Sequence, residues 1–180
     1  MFLFAMQADS TIETPRLTLR PYRDADFEAA YALRLDRRVF FWQGDVPPDP
    51  ATFRSQLKET QRLAKERGIG HRAIFSKRDH FIGQAALWPA SFANEIEIGY
   101  QLCFDAWGHG YATEAVAALI DHGLHTLGLP RIVAVVLPTN TRSLRVIEKL
   151  GLVPQGEVLH AGLTHRYFVL ERDDYLRLRR

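Results

Sequence analysis

Gly108, His109 and Gly110 stand between a β-prone apolar run at 96–104 and a segment with helical periodicity. Glycine lets a backbone come close to a ligand, and the first N–H groups of a helix have no partner within that helix. A turn of this kind binds phosphate or diphosphate groups, because its N–H groups and the helix dipole both favour an anion. The alternative is a turn that needs glycine for steric reasons alone.

Three classes of phosphate ligand can be weighed against this turn. A P-loop requires Gly-Lys-Ser/Thr, which the sequence lacks. A dinucleotide fingerprint requires a third small residue and an acidic residue about 20 positions later. Here Thr113 occupies the small-residue position, and the next strand ends in Val135, Val136 and Leu137 without an acid. These departures disfavour a dinucleotide, and the diphosphate of coenzyme A is the third class of ligand that this turn could bind.

The strand before the glycines has polar side chains at alternate positions, Glu95, Glu97 and Gln101. Side chains two residues apart in a strand share one face of the sheet. A long strand in the middle of a domain with one polar face is typical of a cleft wall, and the alternative is a face open to solvent.

The remaining pattern predicts an α/β domain with a mixed sheet and the element order βααβββαβαββ. Asp49 and Pro50 have the residue types of a helix start, and Gly68 and Gly151 follow the ends of two predicted helices. Asp173 is a candidate cap for a short final helix. The predicted strands lie near residues 16–20, 71–76, 80–88, 94–104, 131–137, 152–159 and 163–171.

The composition limits the classes of function. The 180 residues suffice for one domain, and residues 1–10 are predicted to be an N-terminal arm. A net charge of +2 gives no reason to expect nucleic acid or a membrane as a partner, and no apolar run is long enough to span a bilayer. Cys103 is the only cysteine, which fits a cytoplasmic protein without a disulfide. His122 and His125 lack a third histidine at ligand spacing, so we expect exposed side chains and no metal site.

Three segments together resemble the GNAT acyltransferases, and among them the RimJ/RimL-like branch that acetylates ribosomal proteins. The resemblance covers about residues 11–172. Each segment alone is modest, but the three in this order are specific for the fold and for acyl-CoA. The segments are Thr14-Pro15-Arg16-Leu17-Thr18-Leu19-Arg20-Pro21, Glu97-Ile98-Gly99-Tyr100 running into Trp107-Gly108-His109-Gly110-Tyr111-Ala112-Thr113-Glu114-Ala115, and the stretch 140–152.

The resemblance implies a single GNAT domain at 11–180 with a mostly antiparallel sheet that splays between the fourth and fifth predicted strands. It also implies acetyl-CoA as cosubstrate. Backbone groups of Leu102 and Cys103 would pair with the pantetheine arm, and one of their N–H groups would polarise the thioester carbonyl. The diphosphate would be held by the N–H groups of the loop residues Gly108, His109, Gly110, Tyr111, Ala112 and Thr113.

The resemblance also implies direct attack of an amine on the acetyl carbonyl. Glu97 corresponds to the family's strand glutamate and would accept the amine proton, directly or through a water molecule. Many GNAT enzymes protonate the leaving thiolate with a tyrosine, whose position here holds Ile147. Ser143 stands where the RimJ/RimL-like branch has a serine near the sulfur, so the donor role goes to Ser143. Asn140 is an N-cap that would also bind pantetheine.

Phe40, Phe41 and Trp42 form an aromatic cluster in the loop that walls the acceptor site in this fold. Glu95 is the further candidate for acceptor binding, and packing is the alternative for the aromatic cluster. The resemblance implies an N-acetyltransferase acting on a peptide N-terminus or a small amine. A non-catalytic acyl-CoA-binding module and an enzyme for longer acyl groups are the alternatives, and a monomer and a homodimer are both open.

Overall fold

The computed structural model describes residues 11–40 and 46–177. Eight strands form one sheet, and helices cover both of its faces. The strands are β1 (Ile12–Glu13), β2 (Leu17–Pro21), β3 (Gly70–Ser76), β4 (Phe81–Pro89), β5 (Ile96–Leu102), β6 (Arg131–Val136), β7 (Val153–His160) and β8 (Leu163–Glu171). The helices are α1 (Phe27–Leu35), α2 (Arg37–Phe40), α3 (Pro50–Arg67), α4 (Tyr111–Asp121), α5 (Thr141–Lys149) and α6 (Arg172–Arg177).

The predicted fold class and element order are confirmed, with two additions. The two-residue strand β1 pairs with β2, and the short helix α2 lies in what we predicted to be a loop. The Asp49 side chain caps α3 as expected, because its Oδ1 accepts hydrogen bonds from the N–H groups of Ala51 and Thr52 at 2.9 and 3.0 Å.

The strand order is β1-β2-β3-β4-β5-β6-β8-β7, and the sheet parts between β5 and β6. These two strands run parallel and pair at a single position, Glu97 with Val133. Every other neighbouring pair is antiparallel. The gap lies between the fourth and fifth strands of the predicted order, as the resemblance implies.

Two apolar cores flank the sheet. Helices α4 and α5 cover one face, where Leu17, Leu19 and Val116 are fully buried. Helices α1 and α3 cover the other face, where Phe27, Phe53 and Ala73 form a smaller cluster. Burying one large aliphatic side chain contributes about 1.5–3 kcal/mol to stability. Because more apolar side chains are buried on the α4 side, that side carries most of the apolar stabilisation.

The segment after α4 differs from the prediction. His122–Thr126 forms one π-helical turn, and His122 is buried instead of exposed. Its Nε2 lies 3.3 Å from the Gly68 carbonyl oxygen and 3.3 Å from an Arg72 nitrogen. Burial and the neighbouring Arg72 guanidinium lower the pKa of His122 to about 4. His122 is therefore a neutral packing residue that joins α4 to the end of α3.

The ring of Trp88 lies across Gly99 on the α1 side of the sheet. A Cβ atom on Gly99 would sit 2.4 Å from Cη2 of that ring. The ring also stacks on the imidazole of His71, with centroids 5.5 Å apart and planes inclined by 9°. The side chains of His71 on β3 and Trp88 on β4 therefore form a stacked pair beside β5. Gly99 leaves room for the Trp88 ring because it has no side chain.

Gly99→Ala should lower the free energy of unfolding by about 1–3 kcal/mol, because the added methyl group displaces a stacked ring. Chemical denaturation measures this loss. The double variant Gly99→Ala, Trp88→Leu should lose less than the sum of the single variants, because the clash is then removed. Strict additivity would contradict the close approach of Trp88 to Gly99.

Candidate active site

A cavity of about 880 Å³ fills the gap between β5 and β6. Its wall includes residues from both faces of the sheet. Glu97 and Trp88 line it on the α1 side, whereas Tyr100 and Ser143 line it on the α4 and α5 side. Because the sheet is parted here, one continuous space connects its two faces. A ligand in this space can thread the sheet.

The glycine loop forms one mouth of this cavity. Gly108 and Gly110 have φ angles of +81° and +77°, a left-handed conformation that L side chains disfavour. Gly110 is the N-cap of α4 and provides no side-chain cap. No hydrogen bond to a described residue engages the N–H groups of residues 108–113. These groups are therefore available to an anion at the positive end of α4.

The predicted loop residues do not all face the cavity. Its wall includes Gly108, Gly110, Tyr111, Ala112 and Thr113. The side chain of His109 is exposed and lies outside the wall, and its carbonyl oxygen accepts a hydrogen bond from Arg16 at 2.8 Å. The loop thus presents backbone to the cavity, as an anion site requires.

The structure distinguishes the backbone N–H groups of Leu102 and Cys103, the two candidate donors at the end of β5. The N–H group of Cys103 donates to the carbonyl oxygen of Ile82 at 2.9 Å, so it is not free for a thioester. Backbone groups of an antiparallel strand alternate in direction, which turns the N–H group of Leu102 toward β6 and the gap. The Leu102 carbonyl oxygen accepts from the indole N–H of Trp107 at 2.9 Å. Of the two N–H groups that the resemblance left open, that of Leu102 therefore remains the candidate donor.

Glu97 is a buried carboxyl group on the cavity wall. It is 5% exposed, and no described residue bonds its Oε2. Burial raises the pKa of Glu97 to about 8, because the charged form loses hydration without gaining a partner. A carboxyl group that titrates near neutral pH and faces a cavity has the properties of a general acid or base.

Ser143 and Asn140 lie at the start of α5. The Asn140 Oδ1 accepts from the Ser143 N–H at 3.1 Å, which confirms the N-cap. Both side chains line the cavity, together with Arg142, which lies over the Trp107 ring at 5.0 Å. Tyr100 also lines the cavity and was not among the predicted site residues. Burial raises the pKa of Tyr100, and the nearby Ser143 hydroxyl opposes this shift.

The predicted acceptor residues give a mixed outcome. Phe41, Trp42 and the side chain of Phe40 lie outside the described residues. Glu95 is absent from the described cavity wall, and its carboxylate lies 3.8 Å from the guanidinium of Arg131. The α1 side of the wall instead includes Arg34, Trp88, Leu163, His160 and His165. Sequence spacing gave no signal for Arg34, Trp88 or Leu163, because they come from three separate elements.

Among the described residues, none around Cys103 activates it as a nucleophile. Burial raises the pKa of its thiol, and the Sγ atom lies 3.9 Å from the Phe81 carbonyl oxygen. Among the residues that the structure describes, no three potential ligands come together to hold a metal ion. No helix in that same part of the chain has the length and apolar character needed to cross a membrane.

Residues 16–153 match the family model of the acetyltransferase (GNAT) domain. The chain belongs to the GNAT acetyltransferase family. It is 33% identical to an N-acetyltransferase of Bacillus licheniformis named p20, over 149 residues that cover 81% of this chain and 84% of that protein. It is therefore an acetyltransferase enzyme of this family.

Solved structures share the fold. An acetyltransferase from Agrobacterium tumefaciens superposes with a TM-score of 0.79 at 29% identity, covering 90% of this chain and 94% of the other. RimJ from Mycobacterium smegmatis, solved in complex with CoA-disulfide, superposes with a TM-score of 0.78 at 23% identity, covering 92% and 89%. At 23% identity, the similarity to RimJ shows a shared fold and nothing further about activity or substrate.

The site fits acetyl-CoA, the cosubstrate of GNAT enzymes. The open N–H groups of the glycine loop suit a diphosphate. The unpaired edge of β5, with Leu102 directed at the gap, suits an extended arm that adds as a strand. Both features lie on the same cavity.

Gly110→Val should weaken coenzyme A binding, because a β-branched residue strains the left-handed N-cap and moves the loop N–H groups. Isothermal titration calorimetry would measure the dissociation constant. Gly128→Val is the matched control: Gly128 has a φ of +68° and lies outside the described cavity wall. The control should lose stability yet bind coenzyme A normally. Normal binding by Gly110→Val would contradict the role of the loop.

Proposed function

We propose that residues 11–180 form one cytoplasmic N-acetyltransferase domain of the RimJ/RimL-like branch. It transfers an acetyl group from acetyl-CoA to a primary amine by direct attack in a ternary complex. One observation carries this proposal: a buried carboxyl group, Glu97, shares a through-sheet cavity with an anion-binding loop. The acceptor amine enters from the α1 side, and the coenzyme enters from the α4 side.

Different backbone and side-chain groups bind different parts of acetyl-CoA. N–H groups of residues 108–113 hold the diphosphate of acetyl-CoA, which supplies the activated acetyl thioester. The Leu102 N–H donates to the thioester oxygen and stabilises the negative charge that develops there during attack. Asn140 binds the pantetheine arm while its Oδ1 caps α5. Because these donors are fixed by backbone geometry, they need little reorganisation during the reaction.

Two proton transfers complete the reaction. Glu97 takes the proton from the attacking amine, directly or through one water molecule. Ser143 donates to the leaving sulfur, and the Tyr100 hydroxyl stands behind it as a second donor. Many GNAT enzymes use a tyrosine as the proton donor, and this chain has Ile147 at that position. The hydroxyl groups of Ser143 and Tyr100 would take over the role of that tyrosine.

The charges of the cavity narrow the class of acceptor. Glu97 is the one carboxylate among the described wall residues, which also include Arg34, Arg142 and Arg145. A polyamine would place further positive charges in this space without counter-charges, at a cost in desolvation. An amine with a single positive charge, on a peptide N-terminus or a small molecule, suits this wall.

Incubation of the protein with acetyl-CoA and a panel of amines tests the function. The panel contains peptides with free N-termini, aromatic and aliphatic monoamines, and spermine, with released thiol and acceptor mass as readouts. We expect acceptor-dependent thiol release with a peptide or a monoamine. Tight coenzyme binding without release for any amine would contradict the proposed function. Faster turnover with propionyl-CoA or succinyl-CoA would favour the longer acyl group.

Glu97→Gln should lower kcat by about 10²–10⁴, the usual contribution of a positioned base. In the wild type, only the deprotonated carboxylate accepts a proton, so kcat/KM should rise with pH through a pKa of about 8. The variant should lose this limb of the pH profile and bind coenzyme A normally. An unchanged rate from pH 6 to 9 would exclude Glu97 as the base.

A further inference from the structure

Arg16 joins the N-terminal hairpin to the coenzyme loop through several contacts. It lies between β1 and β2, and its Nε donates to Glu114 Oε2 at 2.6 Å. Its Nη1 donates to the carbonyl oxygen of His109 at 2.8 Å. The backbone N–H of Arg16 also donates to Glu114 Oε1 at 2.9 Å. One side chain thus connects the first turn of α4 to the peptide between the two glycines.

Glu114 is fixed independently of the Arg16 side chain. The Thr14 hydroxyl donates to its Oε1 at 2.6 Å. Burial raises the pKa of Glu114, but hydrogen bonds from Thr14 and Arg16 outweigh it and hold the pKa below its usual value. The carboxylate therefore stays ionised at neutral pH. It provides a rigid anchor for the guanidinium, which also lies 4.7 Å from the Tyr111 ring centroid.

The contact with His109 sets the direction of a neighbouring N–H group. The structure has no cis peptide bond among the described residues, so the peptide between His109 and Gly110 is trans and planar. In such a peptide the carbonyl group and the following N–H point in opposite directions. With the His109 oxygen held on the Arg16 side, the Gly110 N–H points away from Arg16. Gly110 itself lines the cavity, so its N–H is directed to the coenzyme side.

The loop requires such a restraint. Glycine on both sides of His109 gives this segment more conformational freedom than other flanking residues would. A Cβ atom on Gly108 would meet no atom of the described residues within 4 Å, so their packing does not confine that part of the loop. A group that is ordered before the ligand arrives binds more tightly, because less entropy is lost on binding.

We propose that Arg16 is a positioning residue that orients the diphosphate-binding N–H groups of the loop, with Glu114 as its anchor. This rests on the proposed function, in which the loop holds the diphosphate of coenzyme A. Arg16 acts through the His109 carbonyl. Its effect is therefore confined to ligands that carry the diphosphate.

The test compares coenzyme A with pantetheine, which lacks the diphosphate and the nucleotide. Arg16→Ala should weaken the binding of coenzyme A about tenfold in calorimetry, equivalent to about 1.4 kcal/mol. Binding of pantetheine, followed by NMR titration, should stay unchanged. Arg62→Ala is the matched control. Arg62 is 50% exposed against 48% for Arg16, it also pairs with carboxylates, and it lies on α3, outside the described cavity wall.

Glu114→Gln separates positioning from a direct charge effect. If Arg16 acts by position, loss of its anchor should also weaken coenzyme A binding. If the guanidinium attracts the diphosphate directly, removal of a nearby negative charge should tighten binding, and this result would overturn the proposal. Arg16→Lys keeps the charge but loses the two-directional fork, so it should not restore affinity. Full restoration by lysine would also overturn it.

The outcomes distinguish this proposal from the proposed function. Equal affinity of the wild type for coenzyme A and pantetheine would mean that the loop holds no diphosphate, and the proposed coenzyme site would fail. A wild-type preference for coenzyme A that persists in Arg16→Ala would remove only the role of Arg16. If Arg16→Ala is poorly folded by circular dichroism, Glu114→Gln and Arg16→Lys decide the question.

Discussion

The pairing of β5 with β6 at a single position is the constraint on which the rest of the structure depends. A sheet that stayed paired past Glu97 and Val133 would close the cavity and engage the backbone of β5. Because the strands separate, Leu102 keeps a backbone donor that points into open space. Hydrophobic packing on both faces offsets the lost ladder bonds, since α4 and α5 cover one face and α1 and α3 cover the other.

The parted sheet also accounts for the electrostatics of the site. Glu97 lies at the single paired position, where it is shielded from bulk water, and no described residue bonds one oxygen of its carboxyl group. The same gap brings Tyr100 from the opposite face of β5 next to Ser143 on α5. Alternate residues of one strand therefore line the cavity on opposite faces of the sheet.

The N-terminal hairpin has a role beyond closing the edge of the sheet. Thr14 and Arg16 contact the first turn of α4, almost a hundred residues later in the chain. Helix starts that bind anions need their N–H groups free, so they cannot be stabilised by an ordinary cap. The contacts to Glu114 and to the His109 carbonyl oxygen restrain this helix start without using its backbone N–H groups.

The sequence by itself determined the family, the element order and the glycine loop, because these depend on local periodicity and on motifs within short segments. It also predicted Glu97, Asn140 and Ser143 as cavity residues, since strand alternation and helix capping are local properties. Only the tertiary structure decided between the N–H groups of Leu102 and Cys103, because the direction of each depends on the pairing with Ile82. Only the tertiary structure shows that His122 is buried, that Glu95 lies outside the described cavity wall and that Arg16 contacts the loop. These outcomes depend on contacts between distant segments, which no local pattern contains.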